Sequence, residues 1–313
     1  MKVQNTLSKI ISTAGQKAAY DNACKKLLAN KIILAWIMKN CLPEYRDCDV
    51  YEIAKQYIEG EPQISETAVH QDEQTQTAPM IKGLNTEDAT VCEGTVTFDI
   101  RFNAVAPVSG ELVHLIINVE AQNDFYPGYP IIKRNVYYCS RLISAQYGTE
   151  FTSAHYEKIK KVYSIFICIN PPKYRKNTIN AYSIQEQNIV GNIREDKENY
   201  DLLTAIMICL GDKEKSADSG ILRLLEVLLS SERAVEEKKQ ILENEYNIEM
   251  TTTIESEVSQ MCNLSEGVER RGIRKGRCED IKNLMKNLKM TCEQAMDALG
   301  IPEEEREEYK IEH

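Results

Sequence analysis

Two stretches decide how this chain is read: Thr95-Val96-Thr97-Phe98-Asp99-Ile100-Arg101-Phe102 and Leu112-Val113-His114-Leu115-Ile116-Ile117-Asn118-Val119-Glu120-Ala121-Gln122. The first alternates. Val96, Phe98, Ile100 and Phe102 fall on one face, and Thr95, Thr97, Asp99 and Arg101 on the other, as in a half-buried strand. The second sets Val113, Leu115, Ile117 and Val119 against His114, Ile116, Asn118, Glu120 and Gln122. Pro107-Val108-Ser109-Gly110 between them is turn chemistry. A hairpin is therefore expected, with both polar faces on one side of a sheet.

Working outward, a helix is expected from Ile131 to about Tyr147, closed near Gly148. The apolar run Val162-Tyr163-Ser164-Ile165-Phe166-Ile167-Cys168-Ile169-Asn170 ends at Pro171-Pro172 and suits a central strand buried on both faces. Upstream, Tyr20 to Leu42 has helical apolar spacing and stops at Pro43. A second helix is read over about Asp49 to Glu59, with Asp49 as N-cap and Gly60 past its end. Residues 60–92 lack periodicity and read as an irregular insertion. Beyond residue 200, Asp201–Leu210, Ser219–Leu229 and Ala234–Tyr246 show helical spacing. Thr291 and Gln294 stand in capping-box register, with Gly300 as C-cap and Pro302 opening another helix. The expected fold class is α/β: a mixed sheet flanked by helices over 1–200, and a helical C-terminal region over 201–313.

Composition narrows the function classes. With 42% hydrophobic and 27% charged residues the chain is not mainly disordered. No apolar run approaches the roughly 20 residues of a membrane span, and no secretory h-region follows Met1, so a cytoplasmic protein is expected. The cysteines are scattered singly, which reads as buried free thiols in a reducing compartment. The four histidines (His70, His114, His155, His313) lie far from one another and from any Cys at ligand spacing, which disfavours zinc and Ser-His-Asp chemistry. A phosphate-binding Gly-x-x-x-x-Gly-Lys-Ser/Thr loop is absent.

The net charge of -10 is unevenly spread. Residues 59–124 are acidic, with Lys82 and Arg101 as their only Lys or Arg, whereas 125–200 carries Lys133, Arg134, Arg141, Lys158, Lys160, Lys161, Lys173, Arg175, Lys176, Arg194 and Lys197. A local basic surface permits phosphate binding by an acidic chain, though such runs are commonly just solvated faces.

Two carboxylates on adjacent strands, Asp99 and Glu120, repel each other unless a cation lies between them, and Mg²⁺ or Mn²⁺ is the natural one. With the Ala121 carbonyl they could hold an ion that activates water against a phosphodiester, and Gln122 could orient that water. Taken alone, the spacing equally fits solvated acids on an exposed strand face.

The residues around these acids add a resemblance. Asp99 followed one hairpin later by Glu120-Ala121-Gln122 resembles the Asp … Glu-x-Gln variant of the PD-(D/E)XK nuclease superfamily, and more narrowly its Rpn-like, transposase-labelled branch. The similarity includes Tyr20-Asp21-Asn22-Ala23-Cys24-Lys25-Lys26-Leu27-Leu28, Glu93-Gly94, Asn123-Asp124-Phe125-Tyr126-Pro127-Gly128-Tyr129-Pro130, Lys133 to Gln146 and Lys161 to Cys168, covering about residues 18 to 200. It implies a restriction-endonuclease-like core and Mg²⁺-dependent DNA hydrolysis tied to recombination or mobile elements. Asp99 and Glu120 become metal ligands, and Gln122 takes the place usually held by a lysine. Arg134 and Tyr138, one helical turn apart, are candidates to contact phosphate, or else ordinary surface or packing residues. The additional acid from the first helices is Asp21, Glu44 or Glu52. DNA is the implied partner; the sequence itself gives no oligomeric state, and a homodimer stays open because many such nucleases cut two strands as dimers. Two rivals stand beside this reading: an inactive nuclease-fold protein that binds DNA or protein, favoured by Gln122, and a cytosolic scaffold assembled through the helical tail.

Overall fold

The computed structural model describes residues 19–64, 87–90, 94–107, 112–120, 125, 128–211, 220–230, 233–301 and 306; side chains are described outside 87–97, 112–120 and 263–275. The N-terminal apolar stretch is two helices rather than one, α1 (19–28) and α2 (Lys31–Cys41). Asn30 breaks them: its backbone is extended (ψ 128°), and its side chain accepts from the Ile32 amide at 3.0 Å as the N-cap of α2. Asp49 does cap the next helix, α3 (Val50–Glu52), accepting from the Tyr51 and Glu52 amides. That helix continues only through one π-turn, Ile53–Tyr57, before the chain extends into strand β1 (Ile58–Ile64), where a helix end and an irregular insertion were expected.

A small hairpin of β2 (Glu87–Thr90) and β3 (Gly94–Thr97) precedes β4 (Ile100–Val105). The expected long first strand is therefore split at Phe98-Asp99. The rest of the main sheet comprises β5 (Leu112–Glu120), β6 (Val162–Cys168), β7 (Thr178–Ser183) and β8 (Leu203–Cys209), in spatial order β1-β4-β5-β6-β8-β7. β4 and β5 pair antiparallel as a hairpin, with Ile100 opposite Ile117. β5, β6 and β8 run parallel, and β1 and β7 close the two edges antiparallel. Helix α4 (Ile131–Ser144) makes the crossover from β5 to β6.

β8 corrects a second expectation. Leu203-Thr204-Ala205-Ile206-Met207-Ile208-Cys209 reads as helical because Leu, Ala and Met favour helices, and a strand buried on both faces hides its period. Here all but its first residue are buried, and Asn135 of α4 donates to the Ile206 carbonyl at 2.9 Å. The remaining helices are α5 (Ile221–Leu229), α6 (Val235–Tyr246), α7 (Thr252–Leu288) and α8 (Cys292–Ala298). The Thr291–Gln294 capping box is present, and Gly300 takes φ +64° past the helix end; Pro302 lies outside the described residues.

The sheet has a core on each face. Tyr163, Ile165 and Ile167 point with Ile100, Phe102 and Ile208 toward α1, α2, α5, α6 and the start of α7. Val162, Phe166 and Cys168 point with Met207 and Phe98 toward α4. The first core runs on to Met261, so residues beyond 200 share it; Trp36 packs edge-on against Tyr246 with ring centroids 5.3 Å apart. A small third cluster joins Ile281 of α7 to Ala295 and Met296 of α8.

Phe98 and Ile100 thus lie on opposite faces, not on the same one. The bend at Asp99 breaks the alternation, so that Arg101 lies over the Phe98 ring at 6.0 Å on the α4 side while Asp99 meets α1.

The nine described cysteines are free thiols. Burial pushes Cys24 and Cys139 up to about 12, leaving about one thiolate in ten thousand at pH 8. Native protein treated with iodoacetamide at pH 8 should carry no label at either position, and both should label in denaturant. Mass mapping that finds them modified in the native state contradicts this packing.

Candidate active site at the carboxyl ends of the central strands

Parallel strands deliver their carboxyl ends to one edge of a sheet, and in open α/β sheets ligands bind in the crevice outside those ends. β5 ends at Glu120, whose backbone is in register with Cys168 at the end of β6, and Cys168 with Cys209 at the end of β8. β4 runs the other way, so its start lies at the same edge. Asp99 is one residue before Ile100, the partner of Ile117, and Glu120 is three residues beyond Ile117. The two backbone positions therefore lie at the same edge of the sheet, on neighbouring strands. The side chain of Glu120 lies outside the described residues, as do Ala121 and Gln122 altogether.

Asp99 is 2% exposed. Its Oδ1 lies 2.8 Å from Nζ of Lys25, and the same ammonium lies 2.9 Å from Oδ2 of Asp21 one helical turn earlier on α1. Lys25 is itself 1% exposed. Burial alone pulls its pKa down, but the charges of Asp99 and then Asp21 more than offset it and hold the ammonium above its ordinary value. The site therefore has a buried cation between two carboxylates from two different elements.

This arrangement selects among the acids of the first helices. Glu44 accepts from the Tyr163 hydroxyl at 2.7 and 2.8 Å and pairs with Lys161 at 3.0 Å, at the opposite end of β6. Glu52 accepts from the Tyr57 hydroxyl at 3.1 Å, just before β1, whose start pairs with the end of β4. Asp21 is the one that shares a partner with Asp99.

Lys25 is the residue missed in the sequence. Its signal was present: Asp21, Lys25 and Leu28 recur at helical spacing, so a charged pair sits in register with an apolar stripe. Lysines between apolar positions normally mark a solvated face, which hides this one in the sequence.

The candidate phosphate contacts separate. Tyr138 is buried, its ring 5.2 Å from Phe98 and 5.7 Å from Phe166, and it packs the core. Arg134 is half-buried, its guanidinium 5.3 Å above the Phe166 ring, and Lys133 beside it is exposed. Both lie in the first turn of α4, the end that follows β5. No side chain caps that turn, so its amides add partial positive charge at the same edge.

Among the described residues, no three His, Cys, Asp or Glu side chains converge as a metal cluster. Asp99 and Asp21 offer carboxylate oxygens, the kind of donor a hard divalent cation takes, and here both face the Lys25 ammonium. No helix among the described residues is long and apolar enough to cross a membrane. Comparison of the chain with protein-family models, curated proteins and solved structures gives no match.

Proposed function

We propose that the chain is a Mg²⁺- or Mn²⁺-dependent DNA endonuclease with a PD-(D/E)XK-type core, the reading its sequence resemblance implies. The observation that carries it is the buried Asp99–Lys25 pair at the sheet edge where β5 brings Glu120. The element order supports it too. A helix, an antiparallel β1-β4-β5 meander, the crossover helix α4 and a parallel β6 put the start of β4 and the end of β5 at one edge.

Asp99 and Glu120 would hold the ion, which supplies an activated water and neutralises charge on the scissile phosphate. Lys25 brings to Asp99 the positive charge that Gln122 cannot supply, and holds the carboxylate in place from beneath. Asp21 keeps that ammonium protonated and oriented. Lys133 and Arg134 grip the DNA backbone from the first turn of α4. The resemblance ties such enzymes to recombination and mobile elements.

Metal dependence tests the proposal. Protein stripped with EDTA and returned to supercoiled plasmid should nick or linearise it with Mg²⁺ or Mn²⁺ and leave it intact without them. Cleavage that persists in EDTA, or none with either metal, would reject the hydrolytic mechanism; metal-independent DNA retention would then favour the binding-protein rival.

A further inference from the structure

The two edges of the main sheet are built differently. β1, at one edge, carries Glu59, Glu61 and Pro62 and a register shift between Glu59 and Gln63. Charge, proline and irregularity are the devices that keep an edge strand from pairing with another chain. β7, at the other edge, is Thr178-Ile179-Asn180-Ala181-Tyr182-Ser183, with no charge, no proline and an unbroken register to β8. Five of its six residues are exposed, so neither face is packed.

Past β7 the chain extends an arm. The Asn188 side chain donates to the Ile193 carbonyl, and the Glu195 amide donates to the Glu186 carboxylate, which closes the arm on itself. It has no core of its own, and Ile189, Val190 and Ile193 at its tip are 91%, 93% and 85% exposed. A hydrogen-bonded arm that displays its aliphatic residues marks a surface that another molecule covers.

Charge identifies that molecule. Lys173, Arg175 and Lys176 precede β7. Beyond it, residues 184–199 hold Glu186, Glu195, Asp196 and Glu198 against Arg194 and Lys197, and Lys197 is already paired with Asp201 at 3.4 Å. One end of the edge is basic and the other acidic. Antiparallel pairing of β7 with β7 of a second copy, about a two-fold axis near its middle, sets each basic end against an acidic end twice over.

We propose that β7 is the dimer interface of this protein: two copies join edge to edge through a continuous sheet, and each arm reaches across the partner's basic end, where Tyr174 is 68% exposed. The inference is independent of the nuclease reading. It assigns the cations before β7 to the partner and leaves Lys133 and Arg134 for nucleic acid.

The test is light scattering of the full chain at about 0.1 M salt, where charges within roughly 10 Å still interact. The wild type should show twice 35.7 kDa. Lys173→Glu with Arg175→Glu, which makes both ends acidic, should give monomers, and so should Asp196→Lys with Glu198→Lys, which makes both basic. An equimolar mixture of these two variants should recover the dimer, which misfolded chains could not do. A monomeric wild type, dimers that survive either reversal, or a mixture that stays monomeric would each overturn the proposal. Reversal of Lys173 and Arg175 that abolishes DNA binding while the dimer persists would assign those cations to DNA and overturn it as well.

Discussion

Lys25→Met should destabilise the protein by about 3–5 kcal/mol, the usual cost of removing one partner from a buried ion pair, and slow DNA cleavage by about 100-fold or more. The first effect follows from burial. Asp99 has lost its water, and the ammonium 2.8 Å away is its charge partner from α1. The second follows from position, since removing a single preorganised group beside a developing charge costs about 10²–10³ in rate. Urea unfolding measures the first, and plasmid cleavage at a temperature where the variant stays folded measures the second. Lys25→Arg keeps the charge, so it should recover more of the stability than of the rate, because the planar fork cannot place one nitrogen between two carboxylates as an ammonium does. Unchanged stability in Lys25→Met would show that the pair contributes nothing. Unchanged cleavage by folded Lys25→Met would remove Lys25 from the site.

Arg233→Ala is expected to be comparably severe. Its guanidinium grips Glu226 of α5 at 2.8 Å and also reaches Glu237 of α6, and Glu226 is 4% exposed. Without Arg233 a buried carboxylate is left uncompensated, at a cost of about 3–5 kcal/mol. Because α5 shares the core with α2 and the central strands, the loss should appear as a single unfolding transition at lower urea, followed by circular dichroism and by the fluorescence of Trp36. Two separated transitions would show that the helices after β8 unfold independently of the sheet.

The particular residues show what sequence can and cannot carry. β6 was legible because an apolar run bounded by Pro171-Pro172 has few alternatives at seven residues, and all seven are buried. β8 is as apolar but rich in helix-favouring residues, so only its place between β6 and β7 makes it a strand. Tertiary packing there overrides propensity. The split at Phe98-Asp99 was invisible for a different reason. Perfect alternation predicts one face, but at the bend the buried Asp99 carboxylate pairs with Lys25 of α1 while Phe98 joins the core on the α4 side. The same pairing hid Lys25. Its partner is 74 residues distant in sequence, and no local period reports a contact of that range. Asp99 and Glu120 stand out in the sequence because they sit at the ends of two strands whose hairpin can be read from Pro107-Val108-Ser109-Gly110. That Asp21, rather than Glu44 or Glu52, shares a cation with Asp99 depends on how α1 packs beside the start of β4.

The measurement that bears most directly on the nuclease proposal is Mg²⁺-supported cleavage of supercoiled plasmid by wild type, Asp99→Ala and Glu120→Ala side by side, with folding checked by circular dichroism. Nicking by the wild type should fall by about 100-fold or more in both variants, since metal ligands matter at least as much as the groups that support them. Equal cleavage by either folded variant, or no cleavage by the folded wild type, contradicts the assignment of Asp99 and Glu120 as the catalytic pair.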